Sequence, residues 1–325
     1  LPAGLQSASN APGALTVSGN VVAGAGTYNV GFKVTDASGA VSTANAQFVV
    51  AKESAETAYT GDTAVVTAGP NVSAATFRLG ARLSQEADGA AGDITLARVT
   101  FELFKSNNMT ETPDRVVSGV AVDASGETLP ATVDNVAADT YVVKVKVDSG
   151  NGYWAASPVG IGTVNVTVGT NDQRVNGGGW VADSSSANGR SNFGFTVRSE
   201  KGTPRGNFVY VFRGADGFTY VVKNNAWQGG FLNFAGEAGT SALTRAAFRG
   251  RCTVQKVDPA TGATVQSWGN FTFTVDARDG DLLDPRQADG FAITIQDNGG
   301  AVWRQVGTSA APVALGGGNV HVRGK

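Results

Sequence analysis

The sequence predicts an all-β protein: tandem β-sandwiches followed by a larger C-terminal module of β-sandwich or barrel-like form. Three observations predict it. First, one segment is written twice: Thr27-Tyr28-Asn29-Val30-Gly31-Phe32-Lys33-Val34 returns as Thr140-Tyr141-Val142-Val143-Lys144-Val145-Lys146-Val147. In both copies the apolar residues alternate at period two, as in a strand with one face on a core. Second, the chain has 44 Gly and 42% hydrophobic residues but only 16% charged ones, too few for the charged faces of amphipathic helices. Third, clusters of Gly, Asn, Asp and Ser interrupt it at strand-length intervals, which is the punctuation of β-structure.

Each copy of the repeat opens on a tyrosine. Tyr28 and Tyr141 fit the tyrosine corner of immunoglobulin-like sandwiches, where the hydroxyl bonds back to the backbone at the turn into a late strand. Each copy leaves through a turn led by aspartate, Asp36-Ala37-Ser38-Gly39 in one case and Asp148-Ser149-Gly150 in the other.

Residues 1–51 hold Leu1-Pro2-Ala3-Gly4-Leu5, Val17-Ser18-Gly19-Asn20, Ala25-Gly26-Thr27-Tyr28 and Val34-Thr35-Asp36-Ala37-Ser38-Gly39 in that order. This segment resembles the second half of an immunoglobulin-like repeat of large bacterial surface proteins. The strands that precede Leu-Pro-x-Gly-Leu in that family are absent here. Three or four strands remain where such a sandwich needs about seven. The expectation is that the exposed half is held by the second module, by upstream strands, or by another chain adding a strand, and the last two are favoured.

Residues 52–56 read as a linker, and a second sandwich is expected over 57–170. Its strands are placed at 63–67, 72–83, 94–104, 115–122, 128–133, 141–147, 153–156 and 161–168. Tyr59-Thr60-Gly61-Asp62-Thr63, Gly92-Asp93-Ile94 and Val99-Thr100-Phe101 resemble the immunoglobulin-like module beside the choice-of-anchor domains of bacterial surface proteins. The third module, 171–325, reads as about eleven strands. Phe193, Phe195, Val197 alternate, as do Phe271, Phe273, Val275 and Phe291, Ile293, Ile295, while Phe208-Val209-Tyr210-Val211-Phe212 is apolar on both faces and should be covered on both. Asn176-Gly177-Gly178-Gly179-Trp180, Asn192-Phe193-Gly194-Phe195, Gly202-Thr203-Pro204-Arg205-Gly206-Asn207, the 289–295 stretch and Gly316-Gly317-Gly318-Asn319-Val320 resemble the C-terminal post-choice-of-anchor domain. That resemblance implies an extracellular β architecture and no catalytic residue.

Charge and rare residues narrow the function. A net charge of -2 and a pI near 5.5 give no basic field for nucleic acid, and a weakly charged surface favours association between chains. One Cys allows no intramolecular disulfide, and Cys252 reads as a small buried hydrophobe. No apolar run approaches the ~20 residues of a membrane span, and the sequence reads as a mature or trimmed product. Leu129-Pro130-Ala131-Thr132 is a mid-chain coincidence with a sortase signal, and the sequons at Asn71, Asn108, Asn165 and Asn270 are expected by chance in a bacterial protein.

Catalysis is reduced by elimination. The lone His321 lies in a strand-like Val-His-Val, and no phosphate loop, nucleophile elbow or zinc signature is present. Two weak ligand sites remain. The acidic run around Asp279 and Asp281 offers oxygen ligands for Ca²⁺, against a simpler role in turns. Among the five Trp, Trp227 lies in an Asn/Gly-rich stretch that reads as a loop and is the candidate for a sugar contact, though a core anchor is the favoured reading for it, while Trp268 and Trp303 read as core. The expectation is a non-enzymatic secreted or cell-surface protein of a bacterium: a stalk, adhesive element or assembly subunit. Its partners would be other protein chains, with polysaccharide as a second candidate, and Ca²⁺ is the one candidate cofactor. Accessory modules of a larger secreted enzyme are the first alternative, and a carbohydrate-binding module is the second.

Overall fold

A computed structural model describes the chain apart from residues 12–13, 70, 86–91, 107–111, 149–151, 157, 170–172, 202, 238–241 and 324–325. Ser149 and Gly150 of the second repeat's exit turn and the sequon at Asn108 thus lie outside the described residues. The rest is β-structure, as predicted, with no α-helix among the described residues. Residues 1–51 form two hairpins, β1 (Leu5–Ala11) with β2 (Ala14–Gly19) and β3 (Gly26–Thr35) with β4 (Val41–Val50). One row of β3 and β4, including Tyr28, Val30, Phe32 and Phe48, is half-buried and the alternate row is exposed. Ala23 is the one hydrophobic core residue that the segment contributes among the described residues. The hairpins therefore stand as an unclosed half, attached to the next module through Ala25 N–H to the Gly152 carbonyl at 3.0 Å.

The next unit is a two-layer sandwich. One layer is a sheet ordered β10 (Arg115–Ala121), β9 (Arg98–Lys105), β12 (Asp139–Val147), β13 (Gly160–Thr167) and β6 (Ala64–Val66). The facing layer consists of β5 (Ala55–Tyr59) on β8 (Ala81–Gln85) and β7 (Ala74–Leu79) on β11 (Ala131–Ala137). Alternation sets the core: Phe77, Leu79, Ala81 and Leu83 meet Val99, Phe101, Leu103, Tyr141, Val143 and Val145. Several expectations are corrected: Ile94–Leu96 is a 3-10 turn ahead of β9, and 153–156 holds only an isolated bridge at Trp154. The linker at 52–56 is partly strand, because Ala55 is fully buried and opens β5, while Glu53 bridges Trp154. The single strand at 72–83 breaks at Gly80, whose carbonyl accepts from Thr60 N–H, and its halves serve different pairs.

Residues 174–323 close into an antiparallel barrel. β14 (Arg174–Ala182), β15 (Arg190–Glu200), β16 (Thr203–Arg213), β17 (Thr219–Ala235), β18 (Arg245–Val257), β19 (Thr264–Arg278) and β20 (Gly290–Gln296) pair in sequence, and β22 (Val313–Arg323) joins β20 back to β14. β21 (Val302–Val306) hangs on β20 beside that seam. These nine strands replace the eleven expected. The interior is filled by rings: Phe193 stacks on Phe291 at 4.0 Å and Phe208 on Phe273 at 4.4 Å, close to the offset geometries that aromatic pairs prefer. Cys252 lies in this core, and burial pushes its thiol up to about 12, which makes it an inert packing group.

Candidate functional site at the junction of sandwich and barrel

The two tyrosine corners show how the repeat is used. Tyr28 hydroxyl donates to the Gly24 carbonyl at 2.7 Å and Tyr141 hydroxyl to the Ala137 carbonyl at 3.0 Å, the same four-residue reach in both copies. With Tyr141 turned inward, the alternate row of β12 faces outward and meets the barrel. This junction forms a third cluster of packed hydrophobic residues beside the two cores.

On the sandwich side it consists of Phe104, Val142, Ile161 and a polar row of Thr140, Thr163, Asn165 and Thr167. On the barrel side it consists of Val209, Val211, Val221 and Val257. β16 therefore has apolar cover on both faces, as its sequence requires: Phe208, Tyr210 and Phe212 enter the barrel while Val209 and Val211 meet the sandwich. Lys144 is buried here. Its ammonium donates to the Gly262 carbonyl at 2.8 Å and sits 4.6 Å from the Phe104 ring, and burial holds its pKa below the usual value.

Hydrogen bonds fix the register. Thr63 hydroxyl donates to the Gly178 carbonyl at 3.0 Å, and Thr163 hydroxyl donates to the Phe193 carbonyl at 2.8 Å. Asn165, buried with its sequon, accepts from Thr140 and Thr196 and donates to Thr167. Gly178 is required by close approach: a Cβ there would lie 2.0 Å from the Thr63 carbonyl oxygen. Within the Gly-rich run at 176–179, Gly178 thus faces the sandwich, while Gly177 and Gly179 make room for Phe195, Val320 and Gly317 of the barrel itself.

Arginines bracket the junction at both ends. One groove, about 300 Å³, is lined by Glu56, Asn188, Arg190, Asn192, Arg213 and Thr219. Burial pushes both guanidinium pKa values down, and Glu56 opposes this at Arg213. The other groove contains Arg174, Arg198 and Arg205. A separate polar cluster closes one end of the barrel. Asp183 accepts from Ser191, Ser185, Arg304 and, at 3.2 Å, Tyr210, and the Arg304 guanidinium lies 3.9 Å from the Phe212 ring centroid. Burial pushes the Asp183 carboxyl up, but the hydroxyls of Ser191 and Ser185 and the Arg304 charge outweigh it and hold the group below the usual carboxylate range. Ser191 spends its hydroxyl on this tie. His321 is in register with Asn176, five positions along β14 from the partner of Ser191, or about 17 Å at strand rise. The two do not form a nucleophile and base.

The residues chosen from sequence lie elsewhere. Asp279 and Asp281 differ in burial and role: Asp281 is exposed in a 3-10 turn, whereas Asp279 is buried and accepts from Val322 N–H at 3.0 Å. Asp289 uses one oxygen on Gly280 N–H and the other on Val320 N–H. Ca²⁺ takes six to eight oxygens, and among the described residues no group of three or more His, Cys, Asp or Glu converges to hold a metal. These carboxylates pin β22 to the β19–β20 connection instead. Trp227 lies in β17, not in a loop, with its indole N–H donating to the Gly206 carbonyl at 3.0 Å and its ring edge-on to Phe248 and Phe273. The more exposed ring is Trp303, 36% accessible, beside Phe212, Tyr220 and Phe271. Compared with known protein families and with curated proteins, the chain matches no family model and no curated sequence.

Proposed function

We propose that this chain is a non-enzymatic structural element of a bacterial cell surface or extracellular structure, serving as a stalk, adhesive element or assembly subunit. The observation that supports this reading is the junction. Interfaces between domains of one chain are usually polar and permit motion. Here an apolar layer of Phe104, Val142, Val209, Val211, Val221 and Val257 is continuous from sandwich to barrel and is locked by hydrogen bonds of Thr63, Thr163 and Asn165. A stalk needs such stiffness, because a hinge would let an attached partner swing.

The half-closed hairpins of residues 1–51 supply a surface for contact with further protein. Small-angle scattering and single-molecule pulling test the reading together. The expected result is one rigid sandwich–barrel body that yields under force as a unit. A freely hinged pair, or a chain that turns over a substrate, overturns it. Sedimentation over a concentration series should show association that removal of residues 1–51 abolishes.

A further inference from the structure

Trp227, Trp268 and Trp303 of the barrel each pack against other aromatic rings. Trp180 is placed differently. Its neighbour Val181 enters the barrel core, so Trp180 projects from the outer face of β14, on the same side as Gly178. There the indole lies across two glycines of β22. A Cβ on Gly316 would come within 2.2 Å of its six-membered ring, and one on Gly317 within 2.7 Å of its nitrogen. The register agrees: Trp180 is opposite Gly317 and Val181 is opposite Leu315, which leaves Gly316 as a bulge at the ring. The ring is half-buried, and Gly316 and Gly317 form its bare seat.

The sandwich segment that docks on Gly178 also passes beside this ring. A groove of about 300 Å³ is lined by Trp180, Thr60, Asp62, Gly318 and Asn319, among others. Its polar groups are only partly used within the chain. Asp62 accepts from Arg78 N–H at 2.8 Å through one oxygen, and the other has no partner among the described residues. Asn319 Oδ1 is buried without a hydrogen-bond partner, a state that folded proteins seldom leave in place. The indole N–H of Trp180 meets no acceptor among the described residues. No Lys or Arg lines this groove. Arg190, whose guanidinium carbon is 5.7 Å from the Trp180 ring centroid, lines the neighbouring one.

We propose that this groove binds a neutral pyranose unit of a glycan, stacked on Trp180. A pyranose has one face of C–H bonds and a rim of hydroxyls that both donate and accept. The indole suits the face, and the Asp62 carboxylate, the Asn319 amide and the indole N–H suit the rim. The volume is at the lower end of small-molecule sites, which run from about 300 to 1,000 Å³. A wholly apolar ligand would leave those polar groups desolvated and unpaired. A phosphate or a uronate would meet the Asp62 charge with no cation in the lining to offset it. The site goes beyond the stalk reading and does not rest on it.

Isothermal titration of the full chain with cellohexaose, xylohexaose, mannohexaose and N-acetylchitohexaose tests the proposal, with polygalacturonate oligomers and a single-stranded oligonucleotide as comparison arms. At least one neutral oligomer should bind more tightly than either polyanion, and its affinity should change little as salt rises. That oligomer should shift the tryptophan emission of the wild type but not of Trp180→Phe. Trp180→Ala should weaken binding about tenfold or more. Asn319→Ala should weaken it about threefold to tenfold. Because this second variant removes an unpaired buried acceptor, its melting temperature should not fall, which guards against a folding artefact. Absence of binding by all four neutral oligomers, unchanged affinity in either variant, or preference for a polyanion overturns the proposal.

Discussion

Asp183 has both carboxylate oxygens occupied and its side chain almost out of water, so its environment is tuned to the ionised form. Removing the cation leaves that charge buried. Arg304→Ala should cost about 3–5 kcal/mol in urea unfolding at neutral pH. The folded-state pKa is depressed, so the contribution is complete above the unfolded value near 3.9 and is lost as pH falls through the folded value. The gap between wild type and Arg304→Ala should accordingly narrow in acid. Asp279 has the opposite sign. Burial and the charge of Asp289 raise its pKa, so the folded state holds its proton longer and stability falls as pH rises from the ordinary carboxyl range to the raised value. Asp279→Asn should flatten that decline in a series of melting curves. Neither role was legible beforehand. An Asp-Ser-Ser-Ser run or an acidic loop reads as turn chemistry because its partners, Arg304 and Val322, are supplied by strands distant in sequence. The tryptophans divide: the favoured core reading fits Trp227, and the core reading of Trp303 does not fit its exposure. Trp227 sits among Asn and Gly yet packs on Phe248 and Phe273, while Trp303 occupies a strand and is 36% accessible. Acrylamide should quench Trp303 and spare Trp227, a difference that single Trp→Phe variants resolve.

At the scale of elements, periodicity was a sound guide wherever one face of a strand is buried. The alternating Phe and Val of β15, β19 and β20 all enter the barrel, and the Tyr-led repeat yields the same corner twice. Tyr141→Phe removes one buried hydrogen bond and should cost about 1 kcal/mol, whereas Tyr28→Phe, in a half-exposed strand, should cost less, as paired denaturation curves would show. The aspartate-led turns recur as well. Asp36 accepts from Ser38 and Ala40 as Asp123 does from Ser125 and Glu127, and the serine hydroxyl is the leading cause that lowers the pKa of each carboxyl. Element boundaries were less legible where a strand changes partner. Gly80 divides a continuous apolar alternation between two pairs, and Ala55 begins a strand inside a polar stretch because its small side chain fits under the facing sheet.

For the whole molecule, the junction depends on what is missing from side chains. A face made of Gly178, Gly194, Thr196 and Asn207 carries no hydrophobic signal, so its partner could not be inferred from sequence, although the two-sided apolar run of β16 announced that something must cover it. Gly178→Ala places a methyl against the Thr63 backbone and should cost about 1–3 kcal/mol. Calorimetry should show one transition for the wild type and the sandwich and barrel transitions moving apart in this variant. Arginines stand at both ends of the face, with Arg174 buried, Arg190 and Arg213 half-buried, and Arg198 and Arg205 exposed.

The two-faced β16 also bears on how the protein is made. Ribosomes add about 5–20 residues per second and domains fold as they emerge, so the sandwich is complete roughly ten to thirty seconds before the last barrel strand exists. During that interval Phe104, Val142 and Ile161 present an apolar sheet to the exit site, and the first barrel strands to appear, β14, β15 and β16, are those whose outer faces fit it. The finished sandwich is thus placed to act as a template for the nascent barrel, holding its early strands in register until β22 arrives to close the ring.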